Sequence, residues 1–188
     1  MTFRELLTQK VDLSAAQLDA FEHHYVLLMQ WNAKINLTRI RDAEEAVSLH
    51  YWESVLLARA LPVGPLAIAD VGSGGGFPGI PLAIVRPECR VTLIESHRRK
   101  AVFLRQASRN LANVRVIDDR AESVQQRFDW VVARAVAPRD VLGLPIADNF
   151  AILMSEDLTG LQDPLSVSKL PGGNQRILAM FHVKHNGT

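Results

Sequence analysis

Leu66-Ala67-Ile68-Ala69-Asp70-Val71-Gly72-Ser73-Gly74-Gly75-Gly76-Phe77-Pro78-Gly79-Ile80-Pro81 is the stretch whose reading decides the fold. An apolar run ends in an acid, glycines follow at 72 and 74–76, and two prolines stand where a helix would begin. That order predicts a buried parallel strand, a tight turn, and a helix whose N-terminus faces a ligand. Glycine lets the turn take positive φ and lets a ligand approach backbone without meeting a Cβ. A small ligand containing adenosine suits such a turn.

Downstream of the turn, strand and helix patterns alternate, which predicts an α/β fold with a doubly wound, mostly parallel sheet. Strands are expected at 66–71, 90–95, 114–117, 129–134 and 150–154, with helices near 78–86, 97–111 and 138–147. The last part reads as Leu165 to Leu170, a Pro171-Gly172-Gly173-Asn174 turn, and Gln175 to Val183, an antiparallel hairpin. Upstream, no strand is convincing. Ser14 and Gln17 form a capping-box pair ahead of a helix at about 14–33, on which His23 and His24 are expected at the surface. Asp42 caps a second helix that Pro62 and Pro65 stop. Between them Asn36, Thr38, Arg39 and Arg41 read either as a capped turn or as a lip of a substrate groove. Residues 1–62 are thus an N-terminal helical extension and 63–188 the ligand-binding domain, one compact unit.

The bulk numbers narrow the function classes. The chain has 188 residues, enough for one domain with a real core. A formal net charge of +1 announces no nucleic-acid partner, so any such partner must be held by a local patch. One cysteine, Cys89, excludes an internal disulfide and a cysteine-based zinc site. No apolar run approaches the roughly 20 residues that cross a bilayer. The N-terminal residues are not those of a signal peptide, and a soluble cytoplasmic protein, a monomer without a membrane partner, is expected.

In open parallel sheets, ligands bind beyond the carboxyl ends of the strands. The candidates there are Gly72 to Phe77, Glu95, Asp118 to Glu122, and Arg134. Glu95 follows Gly72 by 23 positions, close to the roughly 20 expected of an acid that accepts from a ribose; it could instead cap the next helix. Gly74 to Gly79 formally fits the dinucleotide pattern. The frame Asp70-Val71-Gly72-Ser73-Gly74-Gly75-Gly76 instead resembles the first motif of S-adenosylmethionine-dependent methyltransferases. An acid there would repel a pyrophosphate but suits a ligand bearing an ammonium and a sulfonium. Pro78 also removes an N–H that would serve phosphate at the helix start. The expected cofactor is therefore S-adenosyl-L-methionine, and no metal is expected.

The run from Gly72 through Phe77-Pro78-Gly79-Ile80-Pro81 to Pro87 resembles the signature of the bacterial 16S rRNA guanine-N7 methyltransferases, the glucose-inhibited division protein B family. Asn36-Leu37-Thr38, His50, Glu53-Ser54, Arg98 to Leu104, Arg120-Ala121-Glu122 and Ala133-Arg134-Ala135-Val136-Ala137 fall in the family's order, so the likeness covers about residues 20–140. It implies a Rossmann-like class I methyltransferase that modifies N7 of one guanine in the decoding-region loop of 16S rRNA, within the small ribosomal subunit. It also implies that Gly72 and Phe77 contact the methyl donor, that Ala121 and Glu122 flank its adenine, and that Arg134 sits beside the site. A methyltransferase of another substrate, and an RNA-interaction module that has lost turnover, are the competing readings.

Guanine N7 carries a lone pair and no proton, so the chemistry asks for positioning rather than a general base. Arg134 is the candidate for holding guanine O6 or a phosphate; an ion pair with Glu122 or Asp70 is the structural alternative. Arg98, Arg99, Lys100, Arg105 and Arg109, with Lys34, Arg39 and Arg41, are candidate phosphate contacts. After about residue 145 the resemblance decays. The expected lysine after the fifth strand is missing, and only about ten residues precede the next strand, too few for a crossover helix. The tail Met180-Phe181-His182-Val183-Lys184-His185 pairs two histidines. The codons ATG TTT CAC GTG AAA CAT would encode this hexapeptide and are their own reverse complement, resembling the site bound by bacterial chromosome-partitioning proteins, so DNA-level selection is the expected origin of the tail and the histidines are expected to bind nothing.

Overall fold

The structure, a computed structural model, describes residues 1–171 and 175–185. It opens with an element that the sequence reading did not anticipate, α1 (Phe3–Thr8). Six residues are too few for a periodicity to register, but a Thr2–Glu5 capping box starts the helix and buried Phe3 and Leu7 anchor it. α2 (Ala15–Ile35) begins at the expected Ser14–Gln17 box and ends on Asn36, left-handed at φ 50°. Asp42 caps α3 (Ala43–Glu45), which continues through a π-wound turn, Ala46–Trp52, into α4 (Glu53–Ala60).

The sheet holds seven strands in the order β3-β2-β1-β4-β5-β7-β6. They are β1 (Ala67–Val71), β2 (Arg90–Ile94), β3 (Val114–Ile117), β4 (Trp130–Arg134), β5 (Asn149–Ser155), β6 (Ser166–Lys169) and β7 (Arg176–His182). The first five are parallel; β7 runs antiparallel to both β5 and β6, so the expected hairpin is present, while Gly172 to Asn174 of its turn lie outside the described residues. The covering helices are α5 (Gly79–Val85), α6 (Arg98–Ala107) and α7 (Pro138–Leu142), with a 3-10 turn at Ala121–Ser123. Two are shorter than their patterns suggest. α6 stops at Ala107, where Ser108 Oγ folds back onto the Leu104 carbonyl (2.7 Å). α7 stops at Leu142 because Gly143 and Pro145 follow.

Strand alternation divides the core in two. Ile68, Leu93, Val132 and Leu153 face α1, α2, α4, α5 and α6, so the N-terminal helices and one face of the sheet share a single apolar cluster. Ala69, Val71, Ala133 and Ile152 face α7, Phe128 and Ile146 in a second cluster. No helix covers that face between β5 and β6, as the short spacing predicts. β6 begins opposite Met180, which itself pairs with Ala151, so residues 156–165 must run back along the sheet. At roughly 3.3 Å per extended residue they can do so, and Leu158 and Leu161 pack onto the second cluster on the way.

Candidate active site

The carboxyl end of β1 turns sharply at Gly72, where φ is +69°. Its N–H and that of Ser73 both donate to the Ile94 carbonyl, at 2.9 and 3.2 Å. A Cβ on Gly72 would stand 2.6 Å from Val136 Cγ2, so backbone alone fits between β1 and the β4 loop. Asp70 faces away from this turn, towards α5. It is fully buried, and one oxygen accepts the Gly79 N–H (3.0 Å) while the other has no partner. A Cβ on Gly79 would lie 2.5 Å from that accepting oxygen. Burial pushes the Asp70 carboxyl up to about 7. The acid read as a counter-charge for a cationic ligand therefore fastens the helix start beneath the turn.

The underside of the turn corrects one expectation and shows what the Phe77 ring packs on. His24 is buried, not at the surface, because α2 crosses directly under the glycines. Gly75 O can only accept, so His24 Nε2–H donates to it (3.0 Å) and Nδ1 accepts the Tyr51 hydroxyl (2.9 Å). Burial holds this imidazole neutral, its pKa lowered to about 4. Phe77, expected against the methyl donor, stacks on His50 (centroids 4.5 Å apart, planes at 17°) and meets Tyr51 edge-on. Its ring belongs to the core under the turn. His50 in turn reaches Thr38 Oγ1 (2.7 Å), which also accepts the Ile40 N–H, while Thr38 N–H donates to Asn32 Oδ1. The Asn36–Arg41 segment is the capped turn, with Arg39 and Arg41 exposed.

Above the turn lies a cleft of about 220 Å³. Val71, Gly72 and Ile94 form one side, Ala121 and Glu122 another, and Val136, Asp140, Val141 and Leu144 the floor and far wall. Gly72, Ala121 and Glu122 are thus brought together. Gly74 and Glu95 stand just behind the wall: Glu95 Oε2 accepts the Gly74 N–H (2.9 Å) and Oε1 the His97 N–H (2.8 Å). Glu95 does cap the start of α6, and with the same carboxylate it fixes the glycine turn. An apolar slot, bare backbone at Gly72 and carboxylates at Asp119, Glu122 and Asp140 fit the adenosine and the cationic end of an S-adenosylmethionine.

Arg134 pairs with neither Glu122 nor Asp70. Its Nη1 lies 3.3 Å from Glu53 Oε2 and donates to the Leu49 carbonyl of the π-wound turn. Glu53, wholly buried, also receives both arms of Arg176 at 2.9 Å each. Desolvation lowers the Arg134 pKa to about 10, still charged at neutral pH. Burial first, then the neighbouring Arg134, His24 and Arg176, drives the His50 pKa down to about 2. Sequence reasoning missed this partner: 123 residues separate Glu53 from Arg176, and no local pattern links them.

Trp31 Nε1 donates to Gln106 Oε1 (3.1 Å) and its ring packs on Phe103, which fastens α2 to α6. Lys34, Arg39, Arg41, Arg98, Arg99, Lys100 and Arg109 have no acid within ion-pair distance among the described residues. Arg105 does, pairing with Asp118 at 3.5 Å. Among the described residues no group of three His, Cys, Asp or Glu could hold a metal, and no helix is long and apolar enough to cross a membrane. In the tail, Phe181 is fully buried and His182 Nδ1 meets Asn149 Oδ1 (2.9 Å), so the hexapeptide helps to fill the core.

The profile of one family, rRNA small subunit methyltransferase G, matches residues 17–145. The protein named ribosomal RNA small subunit methyltransferase G in Halalkalibacterium halodurans is 42% identical over 158 residues, 77% of this chain and 66% of that one. Its namesake in Staphylococcus epidermidis is 34% identical, covering 97% and 82%, and that of Lactococcus lactis subsp. lactis 32%, covering 97% and 90%. The chain therefore spans from two thirds to nine tenths of these relatives. Among solved structures, M. capricolum TrmK with S-adenosylhomocysteine superposes with a TM-score of 0.55 at 11% identity, over 70% of this chain and 67% of that one. A SAM-dependent O-methyltransferase from Thermotoga maritima gives 0.55 at 14%, over 86% and 73%. The fold is that of the class I S-adenosylmethionine-dependent methyltransferases.

Proposed function

The chain belongs to the rRNA small subunit methyltransferase G family, and we propose that it methylates N7 of a guanine in the decoding-region loop of 16S rRNA, using S-adenosyl-L-methionine. One observation carries the reading: every residue lining the cleft, from Val71 to Leu144, falls inside the span that matches the family. The donor, when bound, supplies an electrophilic methyl on a sulfonium. Held by Gly72, Ala121 and Glu122, the donor would give up its methyl to the guanine N7 lone pair, the C–S pair would return to sulfur, and a neutral thioether and a cationic methylated ring would result. No proton moves, so no general base is needed.

The chain's own work is to bind, align and exclude water. Gly72, Ala121 and Glu122 hold the donor. Gly74, tied by Glu95, and Phe77, seated on His50, keep the turn in shape. Arg134 is a positioning residue: locked on Glu53, it fixes the backbone that carries Ala135 (φ 56°) and sets Val136 in the cleft wall. The free cations of α6 and of the turn after α2 hold phosphates. The protein acts as a soluble cytoplasmic monomer on the small subunit.

Transfer of labelled methyl to small subunits from a strain lacking the endogenous enzyme, followed by mapping of the modified base, tests this. Label at N7 of a guanine in the decoding-region loop is expected. Label elsewhere would instead assign another substrate. Donor binding without transfer would mark a module that has lost turnover.

A further inference from the structure

Beside the donor cleft lies a second cavity, of about 500 Å³, that shares Val136 and Asp140 with it. It opens at the carboxyl ends of β4 and β5, between α7 and the crossover segment after Ser155, over the sheet face that no helix covers there. Enzymes that act on a base take it out of its stack into a pocket. A cavity adjoining the donor cleft through a common wall is where such a base must lie for its nucleophile to meet the methyl.

Guanine geometry then fixes which edge faces where. N7 and O6 lie on one edge of the ring, while N1–H and the N2 amino group leave the opposite side. With N7 at the shared wall, the two donors point to the far side of the cavity. Two carboxylates line this space. Asp140 is on the shared wall, where an anionic carboxylate would repel O6. Asp157 lines the cavity and not the cleft. The Thr159 side chain and then its N–H, which donates to Asp157 Oδ1 (2.9 Å), steady the carboxylate and hold its pKa below the usual range.

Resting on the methyltransferase reading above, we propose that Asp157 is the specificity-determining residue that accepts N1–H and N2–H of the target guanine. Adenine offers an acceptor at N1 and no N2 amino group, so this solvent-exposed carboxylate gains neither hydrogen bond from it and favours guanine by the difference. Asp157 lies beyond the matched span of 17–145, in the segment too short for a crossover helix. That segment supplies a substrate wall of its own.

The test has two readouts on the full chain. In the first, GMP or IMP (which lacks the N2 amino group) is titrated without donor, following the backbone amides of Ala135, Ser155 and Thr159 by NMR. The wild type should bind IMP about tenfold more weakly than GMP, and Asp157→Asn, which keeps an acceptor for Thr159, should bring that ratio close to one. In the second, methyl transfer to reconstituted subunits carrying guanine or inosine at the target should show the same loss of preference, with donor affinity unchanged. A variant that keeps the wild-type guanine preference overturns the proposal alone, as does a wild type whose cavity amides ignore GMP while methyl still reaches RNA. A wild type that transfers no methyl to RNA overturns the parent reading and this one with it.

Discussion

Gly72 is the residue on which donor binding turns. At φ +69° and 2.6 Å from Val136 at the Cβ position, a side chain there is both strained and in the way. Gly72→Val should lower S-adenosylmethionine affinity at least about thirtyfold by calorimetry, since strain and overpacking each cost about 1–3 kcal/mol. Asp70, His24 and His50 set the pH dependence. Unfolded, both histidines titrate near 6.5; folded, they stay neutral down to about 4 and about 2. Asp70 does the reverse, titrating at about 7 folded against 3.8 otherwise, so its contribution is whole at low pH and lost as pH rises through 7. At about pH 5 the unfolded chain holds two protons on these three groups and the fold only one, on Asp70. Stability should therefore drop by about 1.4 kcal/mol per unit as pH falls. Asp70→Asn removes the counterweight and should roughly double that slope in urea titrations at pH 6 and 5. Asp70 was legible in the sequence as an important acid. Its task was not: whether a strand-end acid looks up at a ligand or down at a helix depends on side-chain parity, and Gly79 packing on it is a tertiary fact.

Elements were read more reliably than residues. Period-2 and period-3.6 patterns, with caps and prolines, placed all seven strands and the main helices, because those signals are local. The two helix ends placed too far along, at 111 and 147, passed Ser108 and Gly143, where local hydrogen bonding and backbone freedom outweigh apolar spacing. The basic face of α6 is likewise local, since Arg98 and Arg99 precede buried Ala101, Phe103 and Leu104 within about two amphipathic turns. Both arginines are exposed and without acid partners among the described residues. The paired substitutions Arg98→Glu and Arg99→Glu should weaken RNA binding by at least about an order of magnitude and flatten its salt dependence. Donor affinity should not change, and filter binding across a salt series with calorimetry in parallel checks both halves.

The molecule as a whole is joined at Glu53, which brings α4, β4 and β7 onto one buried carboxylate. Removing one partner of a buried ion group leaves charge without compensation. Glu53→Ala strands two arginines and should cost about 3–5 kcal/mol in urea unfolding, whereas a Glu53→Gln variant retains an acceptor and should lose less. A second tie crosses the same boundary: His24 of α2 holds the Gly75 carbonyl, and Tyr51 holds His24. The cleft's central turn thus rests on side chains from the part of the chain that a reader of patterns would set aside as an extension. Recombination is constrained accordingly. A chimaera that swapped residues 1–62 for those of a relative would remove the floor on which the glycines sit, so helices and sheet must be inherited together.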